Sequence, residues 1–210
     1  MPPDYSICYE CGFVLRLFDV RPEERKSFGV TQKGRDAVEQ LVKQSGIAHE
    51  LRPPGDVLVQ LRDHLLQGLM LQLRSIPIGL RVDSWIRRQF PELVELQEAS
   101  VKKQMQENAQ AMAPQVRQLA PEKIYRANVA MNGSFALFWA QVLQEPRFTL
   151  PYKASKYWAT VSNLMSIFEQ VPDVASEDCR LVDAWAEELG LAGWYEWFPY
   201  ECGGEASRSK

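Results

Sequence analysis

From Asp56 onward, apolar side chains recur at Val57, Leu58, Leu61, Leu65, Leu69 and Leu73, the spacing of one helical face. Leu66, Met70 and Leu71 widen that stripe until it nearly encircles the rod. A helix that is apolar most of the way round must be enclosed by other helices. Residues 57–73 therefore predict a mainly α, multi-helix domain with this segment at its centre. The run Ser75-Ile76-Pro77-Ile78-Gly79 predicts a break, because Pro77 removes a donor and Gly79 relaxes the backbone. A second helix is expected over 80–90, and a third, long and polar, from Pro91 to about 112. Helices are further expected over 123–130 and 134–143 with a bend at Asn132-Gly133, and over 155–170. A last one runs from its cap at Ser176 to Gly190.

The first thirty residues differ in kind. Residues 13–20 are rich in β-branched and aromatic side chains, a polar loop follows, and Ser27-Phe28-Gly29-Val30 reads as a return strand. Thr31 is placed to cap the next helix, with Val38, Leu41 and Val42 on one face and Ser45-Gly46 at its end. The chain thus divides into a small amino-terminal β-hairpin-plus-helix element (1–50), a helical domain with an aromatic carboxy-terminal segment (53–200) and a tail (201–210). Its 210 residues, 46% apolar and 24% charged, exclude wholesale disorder.

No basic-then-apolar leader opens the sequence, and the longest strongly apolar stretch, 65–73, falls far short of the ~20 residues of a membrane span. Four cysteines are too sparse for a disulfide scaffold, so the expectation is a cytoplasmic protein with no membrane partner. A net charge of −3 removes any global attraction to nucleic acid. The charge is uneven, with ten acids against three bases from Glu169 to Lys210 and a mildly basic remainder. Mutual packing of the two parts is one explanation, and an acidic tail that competes with an acidic ligand for the basic body is the other.

Cys8-Tyr9-Glu10-Cys11-Gly12 places two thiols at the spacing that grips one Zn²⁺ from a tight turn, and resembles the knuckle of a zinc ribbon. A second knuckle is missing, and the other thiols are Cys179 and Cys202. A four-cysteine structural zinc from Cys8, Cys11, Cys179 and Cys202 is one reading, a redox pair without the thioredoxin-like strand–helix context another, and unliganded cysteines with no cofactor the third. Phe28-Gly29-Val30-Thr31-Gln32-Lys33-Gly34-Arg35, after a hairpin and before a helix, resembles the wing and last helix of a winged-helix domain over about 13–43. The helix–turn–helix that such a domain sends into the major groove has no room upstream of Phe13. Arg16, Arg21, Arg25, Lys26, Lys33 and Arg35 would reach phosphates, but eight acids balance eight bases between residues 1 and 52, which disfavours a nucleic-acid partner.

Asp63-His64-Leu65-Leu66-Gln67 resembles a zinc-peptidase helix whose two ligands and base have been replaced. His49-Glu50 lacks a histidine at position 53. A hydrolase reading would use His64 with Asp63 or Asp83, whereas the simpler reading is a histidine in or beside the core. No Gly-rich phosphate cradle, nucleophile elbow or calcium loop occurs.

Aromatic residues end the chain densely, as Trp194-Tyr195-Glu196-Trp197-Phe198-Pro199-Tyr200. Either this segment folds back as a lid, or it presents a patch to a protein partner through Trp194, Tyr195, Trp197, Phe198 and Tyr200. A non-enzymatic regulatory or protein-interaction role leads. A metal-dependent hydrolase of altered ligand set and a nucleic-acid-binding accessory factor follow.

Overall fold

The computed structural model describes residues 3–45, 55–110, 112–113, 117–118 and 120–201. His49, Glu50, Pro53, Pro114, Cys202 and the rest of the tail lie outside the described residues. Helices α1 (Pro3–Asp19), α2 (Gln32–Gln44), α3 (Gly55–Gln89), α4 (Val94–Gln110), α5 (Glu122–Val142), α6 (Leu150–Lys153), α7 (Trp158–Gln170) and α8 (Asp178–Leu189) make a mainly α protein. Strands β1 (Lys26–Val30) and β2 (Tyr195–Pro199) form one small antiparallel sheet. Among the described residues no helix is long and apolar enough to cross a membrane.

α3 is the axis of the fold, in contact with α1, α2, α5 and α8, and α5 carries α4, α6 and α7 on its other sides. The burial on α3 is displaced from the expected centre. Its amino-terminal half is partly solvated, with Val57, Val59 and Leu71 exposed, whereas residues 76–83 are all buried. The expected break at 75–79 is therefore absent, and α3 runs through Pro77 without interruption. An interior proline costs about 3 kcal/mol. Burial of Ile76, Ile78, Leu80 and Val82, at about 1.5–3 kcal/mol each, outweighs it. Gly79 serves close approach, since the Tyr9 hydroxyl of α1 occupies the space that a Cβ there would need. Reciprocally, Val82 fills the space beside Gly12. Each glycine thus makes room for a side chain of the other helix where α1 and α3 cross.

The bend expected at Asn132-Gly133 is also absent, because α5 is continuous and Val161 and Tyr152 press onto Gly133. Residues 13–19 are helical, not a strand, so the first strand of the wing-like hairpin does not form. The return strand is present as β1, but its partner is β2, in register from Lys26 opposite Pro199 to Val30 opposite Tyr195. The sheet thus joins segments 165 residues apart in the chain. Phe28 stacks on Tyr195 with ring centroids 4.5 Å apart and meets Trp197 edge-on at 5.1 Å. The Tyr195 hydroxyl and the Trp197 indole N–H both donate to Asp183 Oδ1 of α8, at 2.6 and 2.8 Å.

Caps follow local chemistry. Thr31 Oγ1 accepts from the Gly34 amide at 3.0 Å and donates to the Gly193 carbonyl at 2.7 Å, fastening α2 to the turn before β2. Gly190 ends α8 in the left-handed conformation, φ 68°, as its position past the last apolar residue predicts. Ser176 does not cap α8; it lies in a short 3₁₀ turn, Ala175–Glu177, ahead of it.

Candidate interaction surface around the first helix

α1 is apolar on two opposed faces. Tyr5, Tyr9 and Phe13, one turn apart, point inward with ring centroids 6.0 and 5.2 Å apart along the row. Ile7, Cys11, Val14, Leu15 and Phe18 recur at i, i+4, i+7, i+8 and i+11, and form an outer stripe about 100° wide. That stripe faces solvent, since Ile7 is 61%, Val14 56%, Leu15 55% and Phe18 45% exposed. Asp4, Glu10 and Asp19, all exposed, flank it. Beside it a cleft of about 570 Å³ opens between α1, Val82 and Trp85 of α3, and Val174 and Ala175 of the turn before α8. The ring of Phe18 carries the Arg25 guanidinium 4.4 Å from its centroid and meets Tyr200 edge-on at 6.1 Å.

An ion network anchors α1 from below. Arg16 donates to both carboxylate oxygens of Asp178, at 2.7 and 2.8 Å, and to Asp173 at 2.9 Å. Arg81, 1% exposed, donates to Asp178 at 2.8 Å and to the Val171 carbonyl at 2.8 Å. Two guanidinium groups thus converge on one carboxylate in the first turn of α8, whose partial positive charge also favours an acid there.

Deeper between α1 and α3, the Tyr5 hydroxyl donates to Asp83 Oδ1, and Gln97 Nε2 donates to the same atom at 3.2 Å and to the Asp83 carbonyl at 3.0 Å. Burial pushes the Asp83 carboxyl up to about 7, against the two donors that favour its charged form. Burial and the nearby Asp83 and Glu10 charges likewise raise the Tyr9 phenol.

The residues singled out in the sequence are dispersed. Cys8, half-buried, and Cys11, exposed, lie on helix α1, so the tight turn of a knuckle does not form. Cys179 lines a separate cavity of about 190 Å³ with Phe13, Lys26, Arg74 and Trp197. Burial pushes its thiol up to about 11, the Asp183 and Asp178 charges adding to the rise. It is a protonated thiol at neutral pH, and Cys202 is outside the described residues. Among the described residues, no three His, Cys, Asp or Glu side chains form a metal-binding group.

His64 is exposed rather than in the core, and Asp63 is engaged by Arg62 at 2.8 Å. Asp83 lies nineteen residues farther along the same helix, about 28 Å away at 1.5 Å per residue, so it cannot join His64 in one site. Of the amino-terminal cations, Arg16 is locked in the network, Arg21 pairs with Glu24 and Glu23, and Arg25 donates to the Val20 and Phe18 carbonyls.

The aromatic segment is divided. Trp194 and Tyr195 are buried, Trp197 is half-buried, Phe198 is 45% exposed and Tyr200 extends the α1 surface through Phe18. The outer stripe of α1 and the Arg81–Asp178 contact went unread in the sequence. The first could have been found from the helical spacing of Ile7, Val14 and Phe18, and the second from a lone arginine inside the apolar run 76–82. Comparison with known proteins gives no matching family model, no similar curated protein and no similar solved structure.

Proposed function

We propose that this chain is a protein-interaction module that docks an amphipathic helix of a partner protein onto α1. The observation that carries this reading is the outer stripe of Ile7, Cys11, Val14, Leu15 and Phe18, which has the period of a helix–helix seam and which, among the described residues, no other helix covers, only Phe18 being touched, by Arg25 and Tyr200. From Ile7 to Phe18 the stripe is about 16 Å long, three turns, which suits a short helix and a transient contact. The adjoining cleft receives one large side chain against Trp85. The exposed flanking charges on α1 are Asp4, Glu10 and Asp19; of the cations beside the stripe, Arg16 is fully engaged by Asp178 and Asp173, and Arg25 lies over the Phe18 ring and donates to the Val20 and Phe18 carbonyls. The fitting partner helix therefore has basic flanks.

A synthetic amphipathic helix of leucine and lysine, titrated against the protein, tests this directly. Micromolar binding is expected, at least about tenfold tighter than for a leucine–glutamate peptide of the same pattern. Paired substitution of Val14→Glu and Leu15→Glu should abolish it without changing the thermal midpoint, because both side chains are solvated. Equal binding of both peptides would overturn the reading. So would a dimer in sedimentation velocity that the same substitutions convert to monomer, since the stripe would then be covered by a second copy.

A further inference from the structure

A groove of about 1050 Å³, lined by no residue of α1, lies between the end of α2, the residues leading into α5 with its first two turns, and the start of α7. Its charged lining is Arg117, Lys123, Arg126 and Lys156 against one acid, Glu122. That acid is already neutralised, since Glu122 Oε1 accepts from Lys156 at 2.6 Å and from the Tyr157 hydroxyl at 2.7 Å. Many cations outside the groove meet carboxylates, Arg16, Arg62, Arg81, Arg87, Lys102 and Arg180 among them, although Arg25 is held by the Val20 and Phe18 carbonyls instead. Among the described residues Arg117, Lys123 and Arg126 make no ion pair within 4 Å, and Arg117 acts on Glu122 only through its charge at longer range. Lys123 is held over the Trp194 ring, 4.8 Å from its centroid, and Arg126 Nε is shielded from solvent with no acceptor. Burial lowers the Lys123 ammonium from its usual range, and the Arg126 charge beside it lowers it further.

We propose that this groove binds a compact ligand carrying two or more phosphate groups. Two half-buried cations side by side repel each other and lose hydration, and an intervening multivalent anion removes both costs. A monocarboxylate would leave most of the lining uncompensated, whereas the guanidinium forks of Arg117 and Arg126 match phosphate oxygens in pairs. A long polyanion is disfavoured, because Glu187 and Glu188 stand immediately before Leu189 and Gly190, which line the groove. The volume is at the upper end for small-molecule sites.

Titration calorimetry at low salt, with inorganic tripolyphosphate, ATP and sulfate as ligands, tests the proposal. Tripolyphosphate and ATP should bind with micromolar affinity that weakens as salt is added, and sulfate at least about tenfold more weakly. Equal affinity for the first two assigns recognition to the phosphate chain, and tighter ATP binding assigns it to a nucleotide; either supports the proposal. Lys123→Gln and Arg126→Gln should each weaken binding at least about tenfold, while Lys103→Gln, on α4 and paired with Glu107, should leave it unchanged. Lys123→Gln relieves repulsion from Arg126 and gives up the contact with the Trp194 ring; measured against its own ligand-free midpoint, it should erase the rise that tripolyphosphate produces in the parent protein. The Val14→Glu, Leu15→Glu protein should bind tripolyphosphate normally, which separates this site from the α1 surface. Absence of binding at about 1 mM ligand would overturn the proposal, as would undiminished binding by both groove variants. Binding of a single-stranded oligonucleotide that tripolyphosphate cannot displace would assign the groove to nucleic acid instead.

Discussion

Asp83 is the side chain whose ionisation should be felt most in stability. Its carboxyl is raised to about 7 in the folded protein and returns to an ordinary 3.8 on unfolding, so the folded state holds the proton more tightly between those values. Stability from this group is therefore complete below about pH 4 and is lost as pH rises through 7. Urea unfolding followed from pH 5 to pH 8 should show a decline on the order of 2–4 kcal/mol, and Asp83→Asn should flatten it. A profile unchanged by that substitution would show that Asp83 ionises freely in the fold. The groups facing it are Tyr5, Tyr9 and Gln97, and neither tyrosine titrates in that range.

The helices taught by periodicity were largely legible: α2 with its Thr31 cap, α4 behind Pro91, and α8 ending at Gly190 all follow from spacing and punctuation. α1 was not, because Val14, Phe13 and Val20 carry strand preference, whereas the i, i+4 row of Tyr5, Tyr9 and Phe13 is what packing selects. With α1 misread, its outer stripe could not be seen as a surface. Pro77 and Gly133 were read as breakers because local rules ignore burial; both are buried, and Val161 and Tyr152 pack onto Gly133. The groove cations escaped notice for a different reason: Arg117, Lys123, Arg126 and Lys156 look like ordinary solvated charges until α5 and α7 bring them together. The α1–α3 crossing gives a sharp test. Gly79→Ala should destabilise by about 1–3 kcal/mol, because the Tyr9 hydroxyl must move, and Tyr9→Phe in the same chain should recover part of that loss. Additive losses in thermal or urea melts would mean that the two do not touch.

Long-range ties close the molecule on itself. Arg16, Arg81 and Asp178 link the first helix, the axial helix and the last one through a single carboxylate. Asp178→Asn should cost about 3–5 kcal/mol at neutral pH, because two guanidinium groups are left around a neutral amide, one of them almost wholly buried. A loss below about 1 kcal/mol in urea unfolding would show that Asp173 alone suffices. The second tie is the β1–β2 sheet with its clasp of Tyr195 and Trp197 on Asp183.

That sheet has a temporal side as well. A nascent chain exposes the Lys26–Val30 edge, with Phe28 in it, long before the residues that cover it have been translated. At about 5–20 residues per second, the ribosome needs on the order of ten to thirty seconds to reach Pro199. During that interval a strand bearing Phe28 and Val30 waits unpaired, and a holdase or a neighbouring nascent chain has its best opportunity to seize it.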